Sequence, residues 1–387
     1  MTVKQIYELM NNVTNEILGT SELVNEDLSN IVDVGTEIFN SSSIDNYVKS
    51  LVNRIGKVIF VNRPYSGNVP SILMDSWEFG SILEKISADL PLASENESWE
   101  LENGKEYKQD IFYKPTVSAK FFNSKVTFEI PMSFTEKQVK ESFSSAEELN
   151  GFLSMLYNAV DKSMTIKIDS LIMRTINNMT AQTFIDEFSE AVTDNDYSKV
   201  TGTKAINLLK LYNDKYSTTL TADKAITDDA FIKFATYTIG LYKDRLSKIS
   251  TLFNIGGKER FTPSTELHTV LLSDFVKASY IYAKSETYHD EYLALPDAET
   301  VPYWQGSGKS YAFSDVSKIN IKYGENTVVT SGIIGVMFDT DSCGVCNSDR
   351  RVTTSYNAKA EFYNNFYKFD ASYFNDTNEN FIVFFVA

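Results

Sequence analysis

The feature that most constrains the fold is a long stretch, residues 145–181, in which apolar side chains recur at the spacing of one helix face. The apolar positions are Leu149, Phe152, Leu153, Leu156, Val160, Met164, Ile168, Leu171, Ile172 and Met179. Ser145 followed by Glu148 is typical of a capping box at a helix start. A single helix over this range would be about 55 Å long at 1.5 Å per residue, so we expect a strut that outgrows one globular core. The β-branched run "MTIKID" leaves a break open.

The first 57 residues are polar and helical, with apolar stripes too narrow to form a core among themselves. The stripe positions are Ile6, Leu9, Met10, Val13 and Ile17 in the first helix and Ile44, Val48, Leu51 and Ile55 in the second. We therefore expect this segment to lie against something else as an extended arm, with a small helical domain as the alternative. It lacks the apolar centre of a signal peptide, and no apolar run along the chain has the length of a membrane span.

Strand and turn patterns follow from "KVIFVNRPYSG" onward. In "KFFNSKVTFEIPMSF" the residues Val126, Phe128 and Ile130 alternate with polar positions, which is typical of a strand with one buried face. The polar stretch 92–118 lies between "SADLPLA" and "TFEIPMS", so we predict a long, charged hairpin or loop there. Loops of that length in a compact protein are usually functional.

The second half of the chain has a mixed pattern. "DDAFIKFATYTIGLYKDRLSKI" and "TELHTVLLSDFVKASYIYAK" predict helices within an α+β sub-domain, and the segments after "VVTSGIIGVMFD" are rich in strands. The strand "FIVFFVA" would be prone to aggregation as an exposed edge, so we expect it to be paired within the chain.

Composition excludes some partners. A net charge of −16 should repel a nucleic-acid backbone, which argues against a DNA-coating protein and suits a container for DNA. Two Cys residues and no secretion signal indicate synthesis in a reducing cytoplasm. The many aromatic residues, 13% of the chain, suit either an aromatic core or surfaces buried between subunits.

The stretch "MFDTDSCGVCNSDRR", residues 337–351, contains partial signatures of two kinds of site. Asp339, Asp341 and Gly344 begin like a calcium loop, but the position of the bidentate acid is occupied by Arg350, a cation that would repel the ion. Cys343 and Cys346 form a CxxC, but a strand-like sequence follows where a redox motif needs a helix. We interpret the stretch as a loop or turn after a buried strand, with two ordinary thiols.

Other partial motifs are also incomplete. A structural zinc site would need two more ligands, and His268 and His289 lie far upstream in a region predicted to be helical. Gly308-Lys309-Ser310 resembles the end of a phosphate-binding loop, but Tyr303 stands where that loop needs its first glycine. We therefore assign no catalytic, cofactor-binding or metal-binding residues, and we expect no enzyme activity.

The order of elements resembles that of a known family. The segments "VNRPYSGNVPSILMDSWEFGSILEKI", "VTFEIPMSFTEKQVKESFSSAEELNGFLSML", "VPYWQGSG" and "GIIGVMFDTDSCGVCNSDRRVTTSYNAKAEFYNNFYKFDASYFND" are similar to the major capsid protein of tailed bacteriophages, whose Hong-Kong-type (Johnson) shell fold encapsulins share. The resemblance implies an α+β fold with an N-terminal arm, an extended β-hairpin loop, a spine helix in a peripheral domain, and an axial α+β domain. The implied ranges are 1–57 for the arm, 58–140 for the extended-loop region, 141–185 for the spine helix, 186–330 for the axial domain, and 331–387 for the peripheral strands and closing strand.

The resemblance implies a structural subunit that assembles with itself into hexamers and pentamers of an icosahedral capsid around double-stranded DNA. It implies a virion protein, assembled in the host bacterial cytoplasm, with a scaffolding protein and a portal as partners, loose lumenal contact with DNA, and no membrane contact. Some members of the family cross-link an extended-loop lysine, for which Lys105 or Lys108 would be candidates. The alternatives are an encapsulin-like compartment shell and, from another class, a soluble multidomain enzyme using residues 186–330.

Overall fold

The computed structural model describes residues 3–17, 25, 29–30, 32–34, 36, 72–74, 83–88, 95–107, 110–114, 116–142, 146–284, 298–305 and 310–387. Several predictions lie outside the described residues: the second arm helix around Ile44–Ile55, the cap Ser145, Lys108, His289 and the loop residues Gly308 and Lys309. The side chain of Arg350 is likewise outside them.

The described helices and strands occur in runs along the chain, as expected for an α+β protein. The helices are α1 (Val3–Ile17), α2 (Glu136–Ser142), α3 (Ala146–Glu187), α4 (Ser189–Asp194), α5 (Leu208–Tyr216), α6 (Ala222–Ala225), α7 (Asp229–Leu246), α8 (Ser273–Lys284) and α9 (Phe313–Val316). The strands are β1 (Leu73–Met74), β2 (Leu83–Ala88), β3 (Val117–Phe122), β4 (Lys125–Thr135), β5 (Ala205–Asn207), β6 (Leu267–Leu272), β7 (Glu299–Val301), β8 (Ile319–Tyr323), β9 (Asn326–Thr330), β10 (Ile333–Asp339), β11 (Cys343–Asn357), β12 (Phe362–Asn375) and β13 (Phe381–Phe385). Within this described set, every helix is too short or too polar to cross a membrane.

The predicted long helix is confirmed as α3, which runs for 42 residues without the break that "MTIKID" left open. Met164 and Ile168 in that run are buried, as are Leu171 and Ile172 after it. A β-branched residue costs a helix a few tenths of a kcal/mol, whereas burying such a side chain contributes roughly 1.5–3 kcal/mol. Burial therefore outweighs propensity, and the helix continues to Glu187.

The chain divides into two compact units. The first comprises residues 1–80, 125–172 and 345–372, and its sheet has the strand order β1-β11-β12-β4. Strand β4 alternates exposed and buried positions as predicted, and it pairs antiparallel with β12 from Phe362↔Thr135 to Ser372↔Lys125. In α1 of this unit, Met10 and Val13 are completely buried, so part of the narrow apolar stripe is already covered within a single chain.

The second unit comprises residues 81–124, 173–344 and 373–387, built around a sheet of order β5-β13-β10-β6-β7. Strand β13, the "FIVFFVA" segment, lies parallel to β5 and antiparallel to β10, and all five of its residues are buried. The prediction that this strand is paired within the chain is confirmed. Helices α5, α7 and α8 contribute to the core that covers the sheet.

Helix α7 confirms the prediction from "DDAFIKFATYTIGLYKDRLSKI". Its N-cap is Asp228, whose carboxylate accepts a hydrogen bond from the Phe231 backbone N–H at 2.7 Å. This bond satisfies one of the donors that a helix start leaves without a partner. The buried face of α7 includes Phe231, Ile232, Ala235 and Ile239, at helical spacing.

The single helix predicted from "TELHTVLLSDFVKASYIYAK" is wrong. Residues 267–272 form strand β6, and only residues 273–284 form helix α8. Strand β6 lies between β10 and β7, with Val270 opposite Val336 on one side and Glu299 on the other. An apolar run that is flanked by two strands becomes a strand because pairing partners override local periodicity.

Candidate subunit-assembly surface

The β2–β3 hairpin, residues 83–122, confirms the predicted long hairpin. The strands pair antiparallel from Leu83↔Phe122 to Ala88↔Val117, and residues 89–116 connect them. The described part of this connection contains a 3-10 turn, Glu97–Trp99, and no α-helix or β-strand. Among the strands that the structure describes, these two pair with each other and with no third strand, which gives a two-stranded ribbon.

Large apolar side chains of this hairpin face solvent. Trp99 is 95% exposed, Phe112 86% and Tyr113 82%. The other exposed apolar residues of the hairpin are Ile86, Leu101, Tyr107, Ile111, Val117 and Phe121. Single exposed apolar residues are normal on a protein surface, but several of them along one hairpin indicate an interaction site. Trp and Tyr are also the side chains most enriched at the energetic centres of protein interfaces.

The base of the hairpin carries a basal ion cluster, defined here as Lys85, Lys120, Arg260, Asp341, Asp376 and Glu379. Lys85 Nζ lies 2.8 Å from Glu379 Oε1, 3.2 Å from Asp376 Oδ2 and 3.5 Å from Asp341 Oδ2. Lys120 Nζ donates to Asp376 Oδ1 at 3.0 Å and to Thr377 Oγ1 at 2.9 Å. Arg260 Nε lies 3.2 Å from Glu379. The cluster therefore joins both hairpin strands to the turns at residues 340–342 and 376–380.

In the basal ion cluster, hydrogen bonds and attraction between opposite charges outweigh the effect of burial on the pKa values of Asp376 and Lys85. Burial alone would raise the pKa of the Asp376 carboxyl, but the Asn378 backbone N–H and the ammonium groups of Lys120 and Lys85 outweigh burial and lower this pKa. Burial would likewise lower the pKa of Lys85, but its hydrogen bond to Glu379 and three nearby carboxylates raise it. Both shifts favour the charged forms, which keeps the ion pairs intact at neutral pH.

Apolar packing accompanies the ion pairs. The rings of Phe122 and Phe374 lie 5.2 Å apart, and the ammonium group of Lys120 lies 5.5 Å from the Phe122 ring centre. The Tyr373 backbone N–H donates to the Ser124 carbonyl at 3.1 Å, just beyond the end of β3. The hairpin is thus held at its base and carries its exposed aromatic residues further along.

The calcium interpretation is not supported by the roles of Asp339 and Asp341. Asp339 ends β10 and accepts hydrogen bonds from Thr262 Oγ1 at 2.8 Å and from the Asp341 backbone N–H at 2.9 Å. The Ser342 N–H closes the turn on the Asp339 carbonyl at 2.8 Å. Asp339 therefore forms a turn, and in the described part of the chain no group of three or more His, Cys, Asp or Glu residues is arranged to hold a metal ion.

The loop interpretation of residues 337–351 holds only for the turn between β10 and β11. Cys343 and Cys346 lie within strand β11, are completely buried and form no disulfide. Side chains alternate between the two faces of a strand, so residues three positions apart point to opposite faces. This CxxC therefore does not have the geometry of a redox pair. Burial raises the pKa of the Cys343 thiol, which suppresses its reactivity.

The remaining candidate residues are structural or exposed. His268 lies in strand β6, contrary to its predicted helical setting, and its Nε2 is 2.8 Å from Thr340 Oγ1. Burial lowers the pKa of His268, and Glu299 and Asp339 partly oppose that shift. Lys105 Nζ lies 5.5 Å from the ring centre of Tyr107 in the exposed hairpin connection.

Solved structures share this fold. A chain from the structure of head fiber and inner core protein gp22 of bacteriophage P68 has a TM-score of 0.50 and 8% identity, covering 84% of this chain and 86% of that one. A chain of the Staphylococcus phage Andhra capsid has a TM-score of 0.47 and 9% identity with the same coverages, and one of the cyanophage P-SCSP1u capsid has 0.43 and 10%, covering 84% and 89%. The fold is the mixed α+β phage capsid fold, and the long helix α3 is consistent with the spine helix of that fold.

The family follows from the sequence match. The profile of the Phi29-like phage major capsid protein family matches residues 10–385, and the chain belongs to that family. A comparison with curated protein sequences finds no match. The protein is a structural component of the virion that forms an icosahedral capsid, so neither the encapsulin-like nor the enzyme alternative applies.

Proposed function

We propose that the β2–β3 hairpin is a contact between capsid subunits, in which its exposed aromatic residues pack against a neighbouring copy of the chain. The exposure of Trp99, Phe112 and Tyr113 carries this proposal. An aromatic side chain buries about 150–250 Å² when covered, and a standard interface buries about 800 Å² per partner. Three such side chains would supply a large share of one interface.

Charge around the aromatic residues supports a specific contact. The described connection also contains Glu95, Glu100, Glu102, Lys105 and Glu106, all exposed. A polar rim around aromatic anchors is the usual composition of a protein interface, and it keeps the unassembled subunit soluble. In the capsid, each subunit would give its hairpin to one neighbour and receive another, so stability would rise with protein concentration.

Substitution of the aromatic residues tests the proposal. We expect the variant Trp99→Ser/Phe112→Ser/Tyr113→Ser to remain folded but to form no shells under conditions where the wild-type protein does, measured by negative-stain electron microscopy and size-exclusion chromatography. The matched control is Trp99→Phe/Phe112→Tyr/Tyr113→Phe, which keeps the aromatic area and should still form shells. Normal shells from the serine variant would contradict the proposal.

We also propose the domain assignment that the family fold implies: an arm at 1–57, an extended-loop region at 58–140, the spine helix at 141–185, an axial domain at 186–330, and peripheral and closing strands at 331–387. Sheet pairing supports one refinement. Strands β10 and β13 lie in the range 331–387 but pair with β6 and β5 of the range 186–330. We assign these two strands to the axial sheet.

The finer assembly proposals rest on family membership and charge. The subunits would form hexamers and pentamers, with a scaffolding protein and a portal as partners, in the cytoplasm of the host bacterium. The net charge of −16 supports only loose contact between the shell and packaged double-stranded DNA. Mobility-shift titration of shells with DNA at 50 mM and 200 mM salt checks this, since tight, strongly salt-dependent binding would contradict it.

A further inference from the structure

We propose that Lys85, Lys120, Asp376 and Glu379 form an ionic lock that fixes the direction in which the β2–β3 hairpin leaves its unit. The proposal rests on the proposed function of the hairpin as a subunit contact. The four residues are positioning residues: they hold the hairpin in place and leave the contact itself to the exposed aromatic residues.

The positions of Lys85 and Lys120 would destabilise the hairpin if it were isolated. Lys85 and Lys120 are directly opposite each other across the two strands. Like charges in that position destabilise an isolated strand pair. Both ammonium groups instead reach Asp376, whose side chain is 2% exposed, and Lys85 also reaches Glu379. The repulsive pair becomes favourable only when the hairpin rests on these carboxylates.

The carboxylates are themselves held by the backbone around them. The Asp376 N–H donates to the Ser342 carbonyl at 2.7 Å, and Asp376 Oδ1 accepts the Asn378 N–H at 3.0 Å. Arg260 pairs with Glu379 from another segment. The carboxylates that receive the two lysines are therefore held by contacts outside the hairpin.

An isolated two-stranded hairpin is marginally stable in water. Besides the lock, the described contacts at the base of this hairpin include the ring pair Phe122–Phe374 and the hydrogen bond from the Tyr373 N–H to the Ser124 carbonyl. A hairpin with many orientations would bind a neighbouring subunit more weakly, because binding would have to select one orientation at a cost in conformational entropy. The lock orders the hairpin before assembly begins.

A distance measurement in the dissociated full-length subunit tests the lock. Spin labels at Val117→Cys, on the hairpin, and Glu190→Cys, on helix α4, are both at exposed positions, while the buried Cys343 and Cys346 stay unlabelled. We expect a narrow distance distribution that broadens in Lys85→Met/Lys120→Met. The variant Lys85→Arg/Lys120→Arg keeps both charges and should restore the narrow distribution. An unchanged distribution in the methionine variant would overturn the proposal.

Assembly gives the second readout, measured on chains without the spin-label cysteines. We expect Lys85→Met/Lys120→Met to need a roughly tenfold higher protein concentration to form shells. The control Lys114→Met removes one exposed positive charge from the hairpin connection outside the cluster and should assemble as wild type does. Should the methionine variant not fold, Asp376→Asn removes the shared charge and keeps the size of the side chain.

The outcomes separate the lock from the hairpin contact. A broadened distribution together with normal assembly would overturn the role of the lock in assembly. If the triple serine variant described above forms normal shells, the hairpin contact fails, whatever the distance measurement shows. A broadened distribution with impaired assembly, rescued by the arginine variant, supports the lock.

Discussion

The β2–β3 hairpin and strand β13 are both rich in aromatic residues, but those of the hairpin are largely exposed and those of β13 are buried. Phe381, Phe384 and Phe385 of β13 are at most 1% exposed, whereas Trp99 and Phe112 of the hairpin are more than 80% exposed. Strand β13 has a hydrogen-bonded strand on each side, whereas within the described part of the chain the strands of the hairpin pair with each other alone. Apolar content therefore does not separate the buried aromatic residues from the exposed ones in these two segments, but backbone pairing does.

The two regions should contribute to different free energies: β13 to the free energy of unfolding and the hairpin to the free energy of association. Burial around β13 contributes to the free energy of unfolding of a single subunit, because these contacts lie within one chain. Covering the hairpin would contribute only to association, because its contacts are completed by another copy. Substitutions in the two regions should therefore change different measurements.

The largest expected effect is on the stability of the subunit. Phe384→Ala should lower the free energy of unfolding by about 3–5 kcal/mol, since it removes a completely buried ring that lies 5.5 Å from Tyr242. Phe112→Ala, the matched change in the hairpin, should stay within about 0.5 kcal/mol. Denaturant unfolding of dissociated subunits measures the free energy of unfolding of both variants. Similar decreases would contradict the claim that only β13 stabilises the single subunit.

A smaller effect is expected where the chain passes beside the end of β13. Gly332 has φ +85°, and a side chain there would collide with the Val386 carbonyl oxygen. Gly332→Ala should lower the free energy of unfolding by about 1–3 kcal/mol beyond the cost of the backbone conformation alone, because the added methyl group overpacks this site. Gly324→Ala is the control, because Gly324 has φ +60° with open space around it. Equal losses from both variants would show that closeness to Val386 has no cost.

The smallest effect is a pH dependence confined to the hairpin base. The pKa of Asp376 is lowered below its ordinary 3.8, so its stabilisation is complete above that value and is lost as pH falls below it towards the folded-state pKa. The pKa of Lys85 is raised above 10.5, so its stabilisation is complete below that value and is lost as pH rises through the folded-state pKa. Hairpin amides should lose hydrogen-exchange protection relative to β13 amides at both extremes.

The variant Lys85→Met/Lys120→Met is the control for this pH dependence. It should show weaker hairpin protection at neutral pH and little further loss at either extreme. Loss of protection in β13 at the same pH values as in the hairpin would mean that the whole unit unfolds, and the local explanation would be wrong.

Much of the fold could be predicted because its signals are local. The spacing from Leu149 to Met179 defined α3, and alternation around Phe128 defined β4, since both patterns depend on neighbours in the sequence. The prediction was wrong at His268, where a strand and a helix adjoin without a turn signal. Residues 267–272 form a strand because they pair with β10 and β7. Both partners are distant in the sequence, so the local pattern around His268 does not indicate them.

The candidate site was harder to predict. The hairpin was expected from its polar connection, but Trp99, Phe112 and Tyr113 were not singled out; the available signal was aromatic residues placed among charges. The basal ion cluster has no local signal, because Lys120 and Asp376 are 256 residues apart in the chain. Only the strand register that sets Lys85 opposite Lys120 makes the cluster recognisable.

The position of β13 also affects how the chain is made. Within the described sheet, β13 is the last strand to leave the ribosome, yet it occupies a place between β5 and β10. A nascent chain that has not reached residue 381 presents the facing edges of those two strands without the partner that joins them. Translation products that stop before residue 381 would therefore expose unpaired strand edges to chaperones and proteases, whereas a chain that includes β13 covers them.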